Sequence, residues 1–283
     1  MFDILTIAAL ADELRRTLVR GRVQKVVQTA PLGVALELYA GQRWGVVIDV
    51  SPQEPRLFLS RTVPAGDPKQ VTPFLLLLRK YVRGARLEAV EQVSLERILR
   101  LRFATVLVEE RRNGVERIPV ETELVIELMG RHSNAILVGA DGRILDALKR
   151  VTPAMSAARP VLPGRPYQEP PPQLKRDPRR LTPEAVASLL LEVRPDADLP
   201  TVLVQHLAGF SPQMAREAVF RATGVSTLTV TEARGDTTLP ERLATAVASV
   251  LEPLESRCFE PTLYRSGGVP VAFAAVRLQY LQG

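Results

Sequence analysis

The sequence predicts an α+β protein: an antiparallel, β-rich first domain carrying two helices, a small all-α domain after it, and a closing β-hairpin. Three observations predict this. Apolar residues recur at helical spacing near the N-terminus and again through residues 183–258, short β-branched runs bounded by turn residues fill the stretch before residue 151, and a proline-rich, basic segment at residues 160–180 separates the two patterns. A length of 283 residues and a hydrophobic fraction of 46% suffice to bury one large core or two ordinary ones.

Residues 5–19 carry Ile7, Ala8, Leu10, Leu14 and Leu18 with charges between them, the stripe of an amphipathic helix. After Gly21 the period changes to two. RVQKVVQ, VALELYA, WGVVIDV and RLFLS read as successive antiparallel strands. Thr72-Pro73 then opens a second helix, FLLLLRKYVRG, with Thr72 as N-cap, Pro73 at the first helical position and Gly84 as its stop. RLEAVEQV, LERILRLRFA, TVLVEERR, ERIPVETELVIELM, NAILVG and RILDALKRV continue the strands, with Asn113-Gly114 and Asp141-Gly142 as tight turns.

The segment PVLPGRPYQEPPPQLKRDPRRLTP forbids helix or central strand and reads as a stiff linker. Thr182-Pro183 caps the first of four helices, PEAVASLLLEV, LPTVLVQHLAGF, SPQMAREAVFRATG and LPERLATAVASVLEPLESRC. PTLYR and VPVAFAAVRLQ flank Ser266-Gly267-Gly268 as the last strand pair. The domains expected are therefore 1–174, 175–257 and 258–283.

Composition narrows the function. The single Cys258 excludes an internal disulfide and a cysteine-based zinc site, and two isolated histidines, His132 and His206, offer no His-centred metal site. No P-loop, G-x-G-x-x-G or G-x-S-x-G motif is present, so neither catalytic residues nor a cofactor are expected. An acidic residue where a secretory signal carries positive charge, and apolar runs far short of the roughly 20 residues that cross a bilayer, point to a cytoplasmic protein. A net charge of +6 and a pI near 9.8 favour an acidic partner, nucleic acid being the commonest.

Five places invite a closer reading. In LERILRLRFA, strand alternation puts Arg97 on the face of Leu95, Leu99, Leu101 and Phe103, where a guanidinium must be paired or reach a polar edge; a bulge at Glu96-Arg97, an ion pair between them, or a functional pair at a cleft would each answer this. Asp3 precedes the first helix, where a carboxylate favours the dipole, and Arg79 and Lys80 end the second, where cations do. HLAGFSPQMARE resembles a helix-hairpin-helix turn, in which Gly209, Phe210 and Ser211 would turn backbone N–H groups toward a phosphate; an ordinary helical hairpin reads the same way. In LVIELMGRHSNAILV, the insert Gly130 to Asn134 is longer and richer in donors than a hairpin requires. Arg131 and Asn134 either lock that hairpin or help form a binding cleft.

The order of these pieces resembles one family. Phe2-Asp3, GRVQKVVQ, LRKYVRGARL leading into QVSLERI, IELMGRHSNAIL and RPVLPGRPYQEPPP follow the N-terminal domain of the NFACT proteins, and HLAGFSPQMARE looks like that family's helix-hairpin-helix domain. The resemblance implies an N-terminal domain similar to that of formamidopyrimidine-DNA glycosylases, without their proline nucleophile because position 2 is Phe. It implies a non-catalytic role in ribosome-associated quality control: binding the large ribosomal subunit with its peptidyl-tRNA and recruiting tRNA, alanyl-tRNA in bacteria, to extend a stalled chain. The family's tRNA contacts, an acidic residue near the start and an Asp-Arg pair, map onto Asp3 and onto Glu96-Arg97, with Glu in place of Asp. Arg79, Arg131 and Asn134 complete the candidate tRNA contacts. An adhesion module, as the fibronectin-binding name given to some members suggests, and a DNA-binding protein lacking the glycosylase nucleophile are the alternatives. Family members continue into a coiled coil and a second RNA-binding domain, so a chain ending at Gly283 is expected to be an N-terminal fragment or a truncated protein.

Overall fold

A computed structural model describes residues 2–66, 70–111 and 114–281. The Asn113-Gly114 turn is therefore only half within the described residues. The chain divides into two compact units: Leu10–Pro171 together with Met1–Phe2, and Pro172–Gly283 together with Asp3–Ala9.

The first unit is built on a nine-stranded antiparallel sheet. Its strands are β1 (Arg22–Ala30), β2 (Gly33–Ala40), β3 (Gln42–Asp49), β4 (Arg56–Ser60), β5 (Arg86–Gln92), β6 (Ile98–Arg111), β7 (Gly114–Glu127), β8 (Asn134–Gly139) and β9 (Ile144–Ala147), in the spatial order β4-β3-β2-β1-β5-β6-β7-β8-β9. Nearly every neighbour in the sheet is also a neighbour in sequence, because short turns can only join antiparallel strands. Gly41 and Gly142 adopt positive φ in the β2–β3 and β8–β9 turns, as those tight connections demand.

Helix α1 (Ile4–Leu18) carries the predicted stripe, with Leu10, Leu14 and Leu18 buried, and its Arg15 donates through Nε and Nη2 to the Val90 carbonyl. Helix α2 (Pro73–Tyr81) begins where the sequence says: Thr72 accepts from the Leu75 N–H at 3.2 Å. The same hydroxyl donates to the buried Gln28 side chain at 2.8 Å, fixing the helix start to β1.

Two expectations change. Residues 98–111, from LERILRLRFA and TVLVEERR, form one 14-residue strand, β6, paired along its length with β7. The proline-rich segment is no free linker up to residue 171: Val161 bridges Val151, Pro166 bridges Arg143, and Arg159, Tyr167 and Glu169 bond to sheet residues. Proline bars that segment from a ladder but not from lying extended across one, anchored by side chains.

The second unit holds α3 (Pro183–Glu192), α4 (Leu199–His206), α5 (Pro212–Thr223), α6 (Val230–Arg234), α7 (Leu239–Leu251) and α8 (Pro253–Ser256), then the hairpin β10 (Thr262–Ser266) and β11 (Val269–Ala274). Thr182, Asp198, Ser211 and Thr229 each accept a backbone N–H as N-caps. Helix α6, unforeseen, starts at a capping box of Thr229 and Glu232, and the last predicted helix is split at Glu252, ahead of Pro253.

Glu217 lies fully buried on α5, where it accepts from Arg221 at 2.7 Å and from the N–H groups of Gln279 and Tyr280 at 2.7 and 3.3 Å. It thus ties the chain after β11 to α5. Glu217→Ala takes the carboxylate from Arg221 and leaves two N–H groups unpaired, so we expect roughly 3–5 kcal/mol of lost stability in urea unfolding, and a smaller loss for Glu217→Gln.

Candidate nucleic-acid interface

In the first unit, the connection from β5 to β6 is a tight turn. Val93 N–H donates to Ile98 O and Glu96 N–H to Val93 O, both at 3.0 Å, and the Gln92 side-chain amide donates to Glu96 O at 3.0 Å. Leu95 sits inside the turn at φ +57°, a left-handed conformation that is unfavourable for a branched-chain residue. Strand β6 therefore starts at Ile98, and Leu99, Leu101 and Phe103 share one buried face without Leu95 or Arg97, while Ile98 is buried on the other. Glu96 and Arg97, read from sequence as strand residues with Arg97 on that apolar face, stand half-buried in the turn instead. Alternation does not run through a left-handed residue.

This turn abuts the long insert. Leu128 N–H donates to Arg97 O at 2.9 Å, so Glu96-Arg97 and the β7–β8 connection occupy one end of the sheet. Gly130 to His132 form a single 3-10 turn entered at a Gly130 φ of +56°, open to glycine at no steric cost. The buried Ser133 hydroxyl accepts from Met129 N–H at 2.8 Å and closes the turn. Asn134 accepts from the Lys149 and Ala135 N–H groups, each at 2.9 Å, and donates to the Lys149 carbonyl at 2.8 Å. Its amide works as a substitute ladder rung.

Arg131 and His132 stay exposed, with Arg131 Nε donating to His132 Nε2 at 3.0 Å. Beneath them Lys149 Nζ donates to the carbonyls of Arg131 and Val50 at 3.1 and 3.2 Å. Burial lowers the Lys149 pKa, against the opposing pull of the Glu127 carboxylate. The donors of the insert thus divide: Ser133 and Asn134 build it, while Arg131 and His132 face outward.

Sequence reading missed the most buried charge at this end. Glu127, 1% exposed, accepts from both terminal nitrogens of Arg159, at 3.0 Å through Nη1, and from the Tyr167 hydroxyl at 2.9 Å. Burial, then the adjacent Glu127 charge, pushes the Tyr167 phenol well above its usual range, so it remains a donor. Burial works against the Arg159 charge, but its bond to Glu127 outweighs that and raises its pKa. Arg100 lies over the Tyr167 ring, 5.7 Å from its centre, and pairs with Glu123 and Glu169. Together with Arg102 and Glu121 these side chains border an open groove of about 500 Å³. A glutamate embedded in LVIELM, followed by arginine and tyrosine in a proline-rich stretch, was the available signal.

Arg79 ends α2 beside Lys80, where the helix dipole favours both, and Lys80 covers the Tyr81 ring at 5.1 Å. In the second unit, Asp3 and Ser211, 208 residues apart and chosen on separate grounds, meet. Asp3 Oδ1 accepts from the Thr6 N–H and hydroxyl at 2.8 and 2.9 Å, which makes it the cap of α1. Its Oδ2 accepts from the Ser211 hydroxyl at 3.1 Å, and Ser211 in turn caps α5 by accepting from Met214 N–H. Gly209 takes φ +73° in the α4–α5 turn and Phe210 is buried behind it. A phosphate at this turn would be held by backbone N–H groups, because the Ser211 hydroxyl already serves a carboxylate.

Among the described residues no cluster of three or more His, Cys, Asp or Glu could hold a metal ion, and no helix is long and apolar enough to cross a membrane. If Asn134 is a builder and Arg131 a surface donor, Asn134→Ala costs about 1–3 kcal/mol in urea unfolding by stripping Lys149 of its partners. Arg131→Ala then stays within about 0.5 kcal/mol of the native chain.

Comparison with known proteins supplies the context. The family model described as NFACT N-terminal and middle domains matches residues 3–283. A Bacillus subtilis protein named Rqc2 homolog RqcH is 31% identical over 253 residues, which cover 89% of this chain and 41% of that protein. A Streptococcus pneumoniae protein of the same name is 32% identical over 172 residues, covering 60% of this chain and 30% of its own length. The chain thus spans about two fifths or less of these relatives. Among solved structures, the fibrinogen binding protein from Staphylococcus aureus superposes with a TM-score of 0.74 at 22% identity, covering 99% of this chain and 92% of that one. The N-terminal part of the fibronectin/fibrinogen-binding protein from Streptococcus suis gives 0.71 at 24% identity, with the same coverage. At such identities the likeness is one of fold.

Proposed function

Because the chain belongs to the family of NFACT N-terminal and middle domains, we propose that it is a non-catalytic tRNA-binding module of ribosome-associated quality control in the cytoplasm. It recruits tRNA, alanyl-tRNA by family analogy, to a large ribosomal subunit that still carries peptidyl-tRNA. The ribosome makes any peptide bond, and the module supplies position.

The observation that carries this reading is the backbone bond from Leu128 N–H to Arg97 O, which joins the Glu96-Arg97 turn to the Gly130–Asn134 insert. Two segments of the family pattern, about 30 residues apart in sequence, thereby form one sheet end with Arg97, Arg131 and His132 in it. The chemistry suits RNA. A carboxylate accepts from base amino groups or ribose hydroxyls, a guanidinium forks onto phosphate or guanine, and a left-handed turn held by Gln92 and Val93 keeps the pair fixed before binding. The names of the relatives, Rqc2 homolog RqcH, support the quality-control setting.

Titration of the chain with tRNA, duplex DNA and fibronectin across a salt series tests the proposal. The tRNA affinity is expected to fall linearly with salt on logarithmic axes, by about 0.7–0.9 in slope per phosphate contact, and Arg97→Ala to remove about one such contact. Glu96→Ala combined with Arg97→Ala should weaken tRNA about ten- to a hundredfold, the size of a lost charge-assisted contact. DNA or fibronectin binding as tight as tRNA binding, or a double variant that binds like the native chain, would refute it.

A further inference from the structure

At the end of β5 opposite the Glu96-Arg97 turn, about 20 Å of strand away, one row of side chains crosses four strands. Arg22 on β1 is the register partner of Arg86 on β5 and of Tyr39 on β2, and Tyr39 is the partner of Arg43 on β3. Register partners share a face and stand about 5 Å apart, so the row Arg86, Arg22, Tyr39, Arg43 is about 15 Å long. All four are exposed, Tyr39 by 53%. Lys25, opposite Glu37, adds an exposed cation to the same face of β1. One row further on, Val27, Ala35 and Val47 are buried beneath Val63, which bounds the open patch.

Folding does not account for this row. An exposed tyrosine between arginines buries little, and two arginines directly opposite each other repel. Two acidic neighbours of the row, Glu37 and Glu88, offset only part of its charge, and Glu121 stands two strands beyond Arg86 in the same row. Glu88 holds Arg86, whereas Arg43 Nε is 4.0 Å from Glu37 and its side chain is 80% exposed. Arg22 uses one nitrogen on the Gly84 carbonyl, at 2.8 Å, and keeps the rest of its fork.

We infer that this row is a second nucleic-acid surface, taking unpaired nucleotides of an RNA strand, with a base stacked on Tyr39 and the phosphates on either side held by Arg22, Arg43 and Lys25. A ring lying open on a sheet and flanked by cations suits a base that has left its duplex stack, because every base offers a π-face and every linkage a negative charge. The choice of RNA over DNA rests on the function proposed above; the stacking geometry does not.

The test uses the whole chain and a fluorescent 12-nucleotide RNA of mixed sequence, with the DNA of that sequence, the RNA duplex and polyglutamate as comparisons. Single-stranded RNA should bind more tightly than duplex. Tyr39→Ala should weaken the single strand about five- to a hundredfold with an unchanged salt slope, Tyr39→Phe should bind as the native chain, and Arg22→Ala or Arg43→Ala should each lower the slope by about 0.7. Circular dichroism melting guards against misfolding, although an exposed tyrosine is a mild site to change. Native-like binding by Tyr39→Ala, equal losses for single strand and duplex, or polyglutamate binding as tightly as RNA overturns the inference, and tighter binding of the DNA strand overturns its restriction to RNA. Tyr39→Ala is also made in the Glu96→Ala, Arg97→Ala background, where its loss of single-strand binding should persist; tRNA binding untouched by that double variant alone defeats the function proposed above, while the Tyr39 result stands on its own.

Discussion

An ionised carboxylate almost fully buried in a β-sheet has to bring its cations with it, and Glu127 does so at the end of β7. Uncompensated, such a charge costs several kcal/mol even after the protein relaxes around it. Arg159 supplies a two-pronged partner and Tyr167 a third bond, and both come from the proline-rich segment that follows β9. That segment has no helix or strand of its own, and backbone bridges at Val161 and Pro166 hold it only locally. The glutamate adds a side-chain anchor to them, and Arg100, reaching from β6 to Glu123 and Glu169, adds another.

The same sheet end meets a second constraint, the demand that buried backbone groups find partners. At the β7–β8 connection the ladder stops, and side chains take over from it: Ser133 for Met129, Asn134 for both groups of Lys149, the Lys149 ammonium for two carbonyls. Each such bond removes a polar side chain from the set able to meet a ligand. What remains exposed in the insert, Arg131 and His132, is small and rigidly mounted. Rigid mounting matters for recognition because less freedom is lost on binding.

Much of this was legible in the sequence, for identifiable reasons. The α+β class, the helix caps at Thr72 and Thr182, and the strands flanking Gly41 and Gly142 follow from local rules, and local rules are written in consecutive residues. The capping box of α6 was equally local, but five residues make too short a stripe to draw notice. Arg97 was misplaced because nothing in the letters Ser-Leu-Glu-Arg announces that the leucine turns left-handed, and one such residue cancels strand parity. The pairings Asp3 with Ser211 and Glu127 with Arg159 join residues 208 and 32 positions apart, and no periodicity reaches that far. Asp3 is the helix cap that its position suggested, and its second oxygen takes Ser211, a partner that position could not suggest.

The distribution of charge adds what a net count leaves out. Among the described residues the buried charged side chains are all acids, Asp3, Asp12, Glu127, Asp146 and Glu217, and no lysine or arginine joins them. Where arginines answer these acids, they do so from nearer the surface: Arg16 for Asp12, Arg150 for Asp146, Arg159 for Glu127 and Arg221 for Glu217. In each pair the negative end points inward and the positive end toward water. A guanidinium can serve this way because its long stem buries readily while its fork stays wet. Each pair is thus a dipole whose positive end lies outward, and it leaves the net charge of +6, and with it the long-range attraction of a polyanion, unchanged. At contact range the outward guanidinium is what an anion meets, so the carboxylates that hold the fold also orient cations near its surface.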